Sequence, residues 1–282
     1  MAYSERKLLL LLPKILRARD FHLYTENGKR LTDLWLQGGR AILGHKPPRF
    51  LVELKNAAER GLFSPLPHPM ERRIIKALSE FFPGRAFRLF LNEGSMLRAL
   101  EEAGYKGPFH DPAFPSNNSE QRRVSLWRPF ATFEKKVTDT ILIPVLPWPL
   151  GPEALVLEKS LDASFPAGEI IPPVLLAPAA RALHNLAASL KEPGQGRQRY
   201  RKIEKVLAEQ KSGTSLSHAQ WQRQGIYLTA TGDISEKYEE MFQRFLEGGF
   251  LIPPSPDEPI ILPASMSDGE ESKLAELLGD KL

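Results

Sequence analysis

Residues 85–92 read RAFRLFLN, a short apolar run, and Glu93-Gly94-Ser95 follow at once with a helical pattern to Tyr105. A buried strand that turns into a helix through Gly-Ser fixes much about the fold. It sets the open N–H groups of the helix's first turn, and the positive end of its dipole, at a strand end. That is a place to hold an anion or a phosphate. Gly94 and Ser95 are therefore candidate anion-binding residues. The plainer reading is that Ser95 caps a helix and does nothing more.

The flanking sequence repeats the same alternation. FHLYTENGKRLTDLWL is a hairpin around Asn27-Gly28, a pair suited to a type I′ turn. Helical patterns run over residues 48–61 and 69–82, the second stopping at Pro83-Gly84. Residues 107–127 are polar and turn-rich. DTILIPVLPWPLG and EALVLEK then read as two buried strands, IIPPVLLAPAARALHNLAASL as an apolar helix and RYRKIEKVLAEQK as a mixed-charge helix. GIYLTAT is a strand, SEKYEEMFQRFLEGG an amphipathic helix, and SDGEESKLAELLGD a closing helix with Ser267 or Asp268 as its N-cap.

The chain of 282 residues suits one large domain or two small ones, with a net charge of +4. The charges are interspersed, so the excess argues only weakly for an anionic ligand. The basic stretch from Arg197 to Lys211 also carries Glu204 and Glu209 and only Tyr200 as an aromatic. It reads as a solvated helix face rather than a nucleic-acid surface. There is no cysteine, which removes thiolate chemistry and fits a cytoplasmic protein. The leucines near the N-terminus stop at Pro13 and Lys14, so the start reads as a helix or arm packing its leucines on the body. No stretch is long and apolar enough to span a membrane. His45 and His68 have no second ligand at metal spacing, so no metal site is expected.

In order and context these elements resemble the class III aminotransferases, and among them glutamate-1-semialdehyde aminomutase. The family opens with a strand pair and a loop ending L-G-H-x-x-P. TENGKRLTDLWLQGGRAILGHKPP supplies Gly28, Asp33, Leu34, Leu43, Gly44, His45 and Pro48, with Thr25 and Thr32 departing. RLFLNEGSMLRAL matches the phosphate segment at Arg88, Asn92, Gly94 and Ser95, with Met96 where the family has a glutamate. GGFLIPPSPDEPIILPASMSDGEESKLAEL matches the tail at Gly249, Pro254, Ser255 and Glu258.

The resemblance implies a pyridoxal phosphate (PLP) enzyme of fold type I, a homodimer with its site at the interface. The fold class is then α/β: a reduced large domain over residues 66–220, and a small α+β domain from residues 1–65 and 221–282. It also implies a cofactor site at Gly94 and Ser95, with an aromatic residue on the ring that Phe109-His110 could supply. A loop Phe plugging the core is the competing reading of Phe109. The family's chemistry needs a lysine in a glycine-rich turn and a strand carboxylate facing the pyridine nitrogen. Neither motif is present between the matched blocks, which are closer together than in the family. Lys106 follows the phosphate segment too soon, and Lys135 and Lys136 sit in a polar stretch. Lys159, at the end of EALVLEK, is the one catalytic candidate, with Asp162 as a salt partner. Its competing reading is a surface lysine.

The expectation is an aminotransferase-like protein without transaminase catalysis and with no bound cofactor, retaining anion binding or a regulatory or partner role. An active PLP enzyme with a relocated lysine, and a basic interaction protein, are the alternatives.

Overall fold

A computed structural model describes residues 3–114, 124–131, 139–192, 200–211, 220–232 and 234–280. The elements follow in three blocks. The first holds α1 (Tyr3–Leu9), β1 (Ile15–Arg19), β2 (His22–Thr25) and β3 (Arg30–Asp33). The second holds α2 (Phe50–Glu59), α3 (Met70–Phe81), β4 (Ala86–Phe90), α4 (Glu93–Glu102), β5 (Val124–Trp127), β6 (Ile141–Pro144), β7 (Glu153–Leu157) and α5 (Pro173–Lys191). The third holds α6 (Arg201–Lys211), β8 (Gln220–Gln224), β9 (Tyr227–Thr231), α7 (Tyr238–Glu247), β10 (Phe250–Leu251), β11 (Ile260–Ile261) and α8 (Asp268–Gly279). The fold is mixed α/β, and both ends of the chain build one of its two compact units.

That unit comprises residues 1–45, 130–132 and 193–282. Its first sheet runs β1-β2-β3-β10 and its second β11-β9-β8. The chain ends meet where β10 pairs parallel with β3, Phe250 opposite Thr32 and Leu251 opposite Asp33. Gly28, at φ +78°, makes the β2–β3 turn. Ser267 caps α8, and a capping box with Glu270 completes the first turn. The N-terminal leucines do not all pack on the body. Leu8 is buried, but Leu10 is 75% exposed and the chain turns into β1.

The other unit comprises residues 46–129 and 133–192. The units therefore divide at 45/46 and 192/193 rather than at 65/66 and 220/221. The reason is local: α2 and α3 pack on α5. The Asn185 amide on α5 also donates to the Pro48 carbonyl at 2.9 Å, just ahead of α2. The sheet of this unit runs β4-β7-β6-β5. β7 is antiparallel to both β4 and β6, and β5 is parallel to β6. Hence β4, β5 and β6 point one way and β7 the other. By strand alternation Glu153, Leu155 and Leu157 share a face. Leu155 and Leu157 form its core with Phe90, Val124, Ile141, Ile143 and Phe165, and α4 lays Met96, Ala99 and Leu100 against them.

Candidate functional site

The C-terminal ends of β4, β5 and β6 lie at one end of this sheet, where α/β proteins place their ligands. Each strand delivers something there. β4 leads through Leu91 and Asn92 into α4. β5 leads into Arg128, one residue past its end, and the start of β7 brings Glu153 opposite Phe90.

At the turn from β4 to α4, some of the donors are engaged by the chain's own groups. Asn92 is the N-cap, its side-chain oxygen accepting the Ser95 amide at 3.0 Å. The Ser95 hydroxyl is buried and accepts from Arg98 Nη2 at 3.1 Å. The Glu169 carboxylate accepts the Leu91 amide at 2.6 Å. Glu93 adds a second carboxylate in the first turn of α4. These acids oppose a phosphate electrostatically at the positive end of the helix. Among the described residues, the amides of Glu93 and Gly94 have no partner.

Residues 168–169 close the free side of β4. The Glu169 amide donates to the Leu89 carbonyl at 2.7 Å, and a Cβ on Gly168 would fall 2.8 Å from that carbonyl oxygen. The role of these two residues shows only once β4 is known to lie at a sheet edge.

Phe109 packs, partly buried, against the core cluster under α4. His110 continues the sheet: it bridges to Ser125, and its carbonyl accepts the Leu126 amide at 2.7 Å. The next residue, Asp111, holds Arg128 through two hydrogen bonds, Nε to Oδ1 at 2.7 Å and Nη2 to Oδ2 at 2.6 Å. Arg128 is 4% exposed. A buried, bidentate pair of this kind leaves neither charge uncompensated. Asp111, Arg128 and Glu153 stand at this end of the sheet, and the sequence did not single them out. Strand direction was the missing signal.

Lys159 does not reach this edge. It lies in a 3-10 turn, Lys159–Leu161, beyond Leu157, and Leu157 pairs with Ala86 at the start of β4. The four residue steps from Glu153 to Leu157 span about 13 Å of strand, and Lys159 continues past them. It is exposed, and no burial desolvates its ammonium. Asp162 is not its partner either: the Asp162 carboxylate accepts from Arg88 Nη1 at 2.9 Å. Lys135, Lys136, Arg197 and Arg199 lie outside the described residues.

The other matched motif residues carry structure in the unit of the two chain ends. Asp33 is buried and accepts the amides of Trp35 and Leu36 at 2.9 and 2.8 Å, and its second oxygen lies 2.8 Å from His45 Nε2. Gly44, at φ +87°, lets the chain pass the Asp20 carbonyl, which accepts the His45 amide. Glu258 accepts the Trp35 indole N–H at 2.5 Å. Glu270 gathers Ser267, His22, Arg30 and Thr32. Burial works to raise its carboxyl, but the hydrogen bonds from Ser267, His22 and Thr32 outweigh it and hold it at about 2. His68 accepts the Met70 amide at the start of α3. Among the described residues no acidic or histidine cluster could hold a metal.

No family model matches the chain. It is 29% identical over 284 residues to an uncharacterised protein of Treponema pallidum, covering 89% of each chain. It is 31% identical over 98 residues to glutamate-1-semialdehyde 2,1-aminomutase of Thermus thermophilus, a stretch that takes in 34% of this chain and 23% of that one. In structure it matches the ornithine δ-aminotransferase of Plasmodium falciparum with a TM-score of 0.68 and 10% identity, covering 98% of this chain and 97% of that one. The fold is that of the class III, PLP-dependent aminotransferases, at a shorter length. Within that class the sequence is similar, over part of the chain, to glutamate-1-semialdehyde aminomutase.

At the β4–α4 turn a PLP phosphate would find the Ser95 amide held by Asn92 and the Leu91 amide held by Glu169, but the Ser95 hydroxyl, which accepts from Arg98, keeps its own O–H to donate, and the Glu93 and Glu169 carboxylates would oppose the phosphate charge.

Proposed function

We propose that this chain is an aminotransferase-like protein that does not transaminate and serves as a binding or scaffold module. The observation that carries this reading is the separation of Lys159 from Gly94-Ser95 by the length of an antiparallel strand. A lysine must reach the cofactor's carbonyl carbon to form a Schiff base, and a phosphate held at the other end of the sheet keeps it out of reach. The internally engaged donors at Leu91 and Ser95 support the same reading. What remains of the anion cradle is two amides beside Arg98, suited to a small inorganic anion. The fold makes a homodimer the natural assembly, and the absence of cysteine agrees with a cytoplasmic setting.

The test is direct. The purified protein is incubated with PLP, its visible spectrum is recorded, and borohydride is added before peptide mass spectrometry. The reading expects no pyridoxyl-lysine above the level that denatured protein shows. Stoichiometric labelling of one lysine, Lys135 and Lys136 included, would falsify it and return the chain to the active PLP enzymes.

A further inference from the structure

We propose that the free edge of β1 is a docking strand for an extended segment of a partner protein that alternates acidic and apolar side chains. β1 is the outermost strand of the β1-β2-β3-β10 sheet. Among the described residues nothing bonds to its outer side. An unpaired edge is a row of backbone donors and acceptors ready to take another strand.

The edge carries cations and a bulge, devices that discourage indiscriminate pairing, beside exposed apolar side chains. Leu10, Leu11, Ile15 and Leu16 are 75%, 39%, 39% and 72% exposed, four large apolar side chains within seven residues. A cluster of this kind marks an interaction surface more often than scattered single residues do. Interleaved with them are Lys14, Arg17 and Arg19. Lys14 and Arg19 reach Glu26 and Asp20 only at 3.5 Å and in the open, contacts that contribute little. Arg17 rests over the Tyr24 ring, 4.2 Å from its centroid.

The charges decide the occupant. Two copies of β1 pairing antiparallel would set Arg17 against Arg17 in one register and Arg19 against Lys14 in the next, so self-pairing is confined to the registers that avoid both. Like charges directly opposite destabilise a strand pair. The bulge between Ile15 and Arg17 further irregularises self-pairing. The same cations attract a strand with carboxylates at alternate positions, while Leu10, Leu11, Ile15 and Leu16 offer its apolar positions a surface. Repulsion of self with attraction of an acidic partner is how an interface acquires specificity.

This inference stands whether or not PLP binds. The probe is a short fluorescent peptide alternating glutamate and valine, with a lysine–valine peptide of the same length as its control. Fluorescence polarisation should show binding of the acidic peptide only, weakening with salt. Amide hydrogen exchange should slow at Ile15–Arg19 in the complex. The double variant Arg17→Glu, Arg19→Glu, altered at exposed positions, should keep its thermal unfolding and bind about tenfold more weakly. Leu16→Glu is the second variant, expected to weaken binding in the same way. No binding of the acidic peptide, equal binding of the basic one, or binding without slowed exchange at Ile15–Arg19 would each overturn the proposal. So would a dimer in which the free protein's β1 amides are already protected, since that assigns the edge to a second copy.

Discussion

The Glu169 carboxylate accepts the Leu91 amide at 2.6 Å, one residue ahead of the Asn92 cap of α4. The contact joins the segment that closes β4 to the turn that would cradle a phosphate. It neutralises a donor and places a negative charge at the helix's positive end.

Removing that carboxylate should therefore do two things. Glu169→Ala should lower the unfolding free energy by about 1 kcal/mol, read by urea denaturation. It should also let inorganic phosphate raise the melting temperature more than it does in the wild type, because the competing charge is gone.

Gly168 lies against backbone, not against a side chain that could move aside. Gly168→Ala should cost roughly 1–3 kcal/mol, with the loss appearing as a lower urea midpoint at unchanged slope. An unaltered midpoint would mean that residues 166–169 do not sit on β4.

Trp148 is 1% exposed and donates its indole N–H to the Ala179 carbonyl at 3.1 Å, tying the β6–β7 connection to α5. Trp148→Ala should destabilise by about 3–5 kcal/mol. Trp148→Phe should cost distinctly less, because it keeps most of the apolar volume and gives up the hydrogen bond.

Glu270 gives the acid limb of stability its shape. Its carboxyl is at about 2 in the folded chain against an ordinary 4.5, so the unfolded chain takes up the proton first. The stability it contributes is present above about 4.5 and is lost as the pH falls toward about 2. Glu270→Gln should flatten the pH dependence of the unfolding free energy across that window. An unchanged slope would place the network's stabilising effect elsewhere.

Lys159→Ala should leave the unfolding free energy within about 0.5 kcal/mol of the wild type, as an exposed residue with no partner does. It should also leave unchanged any spectral response to added PLP.

Most of the secondary structure was legible from the pattern of apolar residues, and the parts that were not share a cause. α2, α3, α5, α6, α7 and α8 carry long periodic faces and stand where their periodicity puts them. β1, β5 and β8 are short strands of four or five residues with mixed polarity. ILRAR falls in a stretch that reads as a helix or arm and VSLW in one that reads as turn-rich, until a neighbour supplies the ladder. The Asp33, Gly44, His45 and Glu258 motifs were visible as letters, but their work as caps and turn supports needed coordinates. Asp111 and Arg128 were invisible for another reason: 17 positions separate them, and only the bridge from His110 to β5 brings them together. Lys159 shows the reverse: the sequence places it at the end of a buried strand, and the direction of β7 sets it at the end of the sheet away from Gly94-Ser95.

The reversed direction of β7 governs where a lysine can stand. A lysine at the tail of a strand parallel to β4 would stand at the β4–α4 end of the sheet; at the tail of β7 it stands at the opposite end. Along β7 the position that faces Phe90 is Glu153, already an acid and already buried. A lysine placed at that end of the sheet would have to share it with this buried carboxylate.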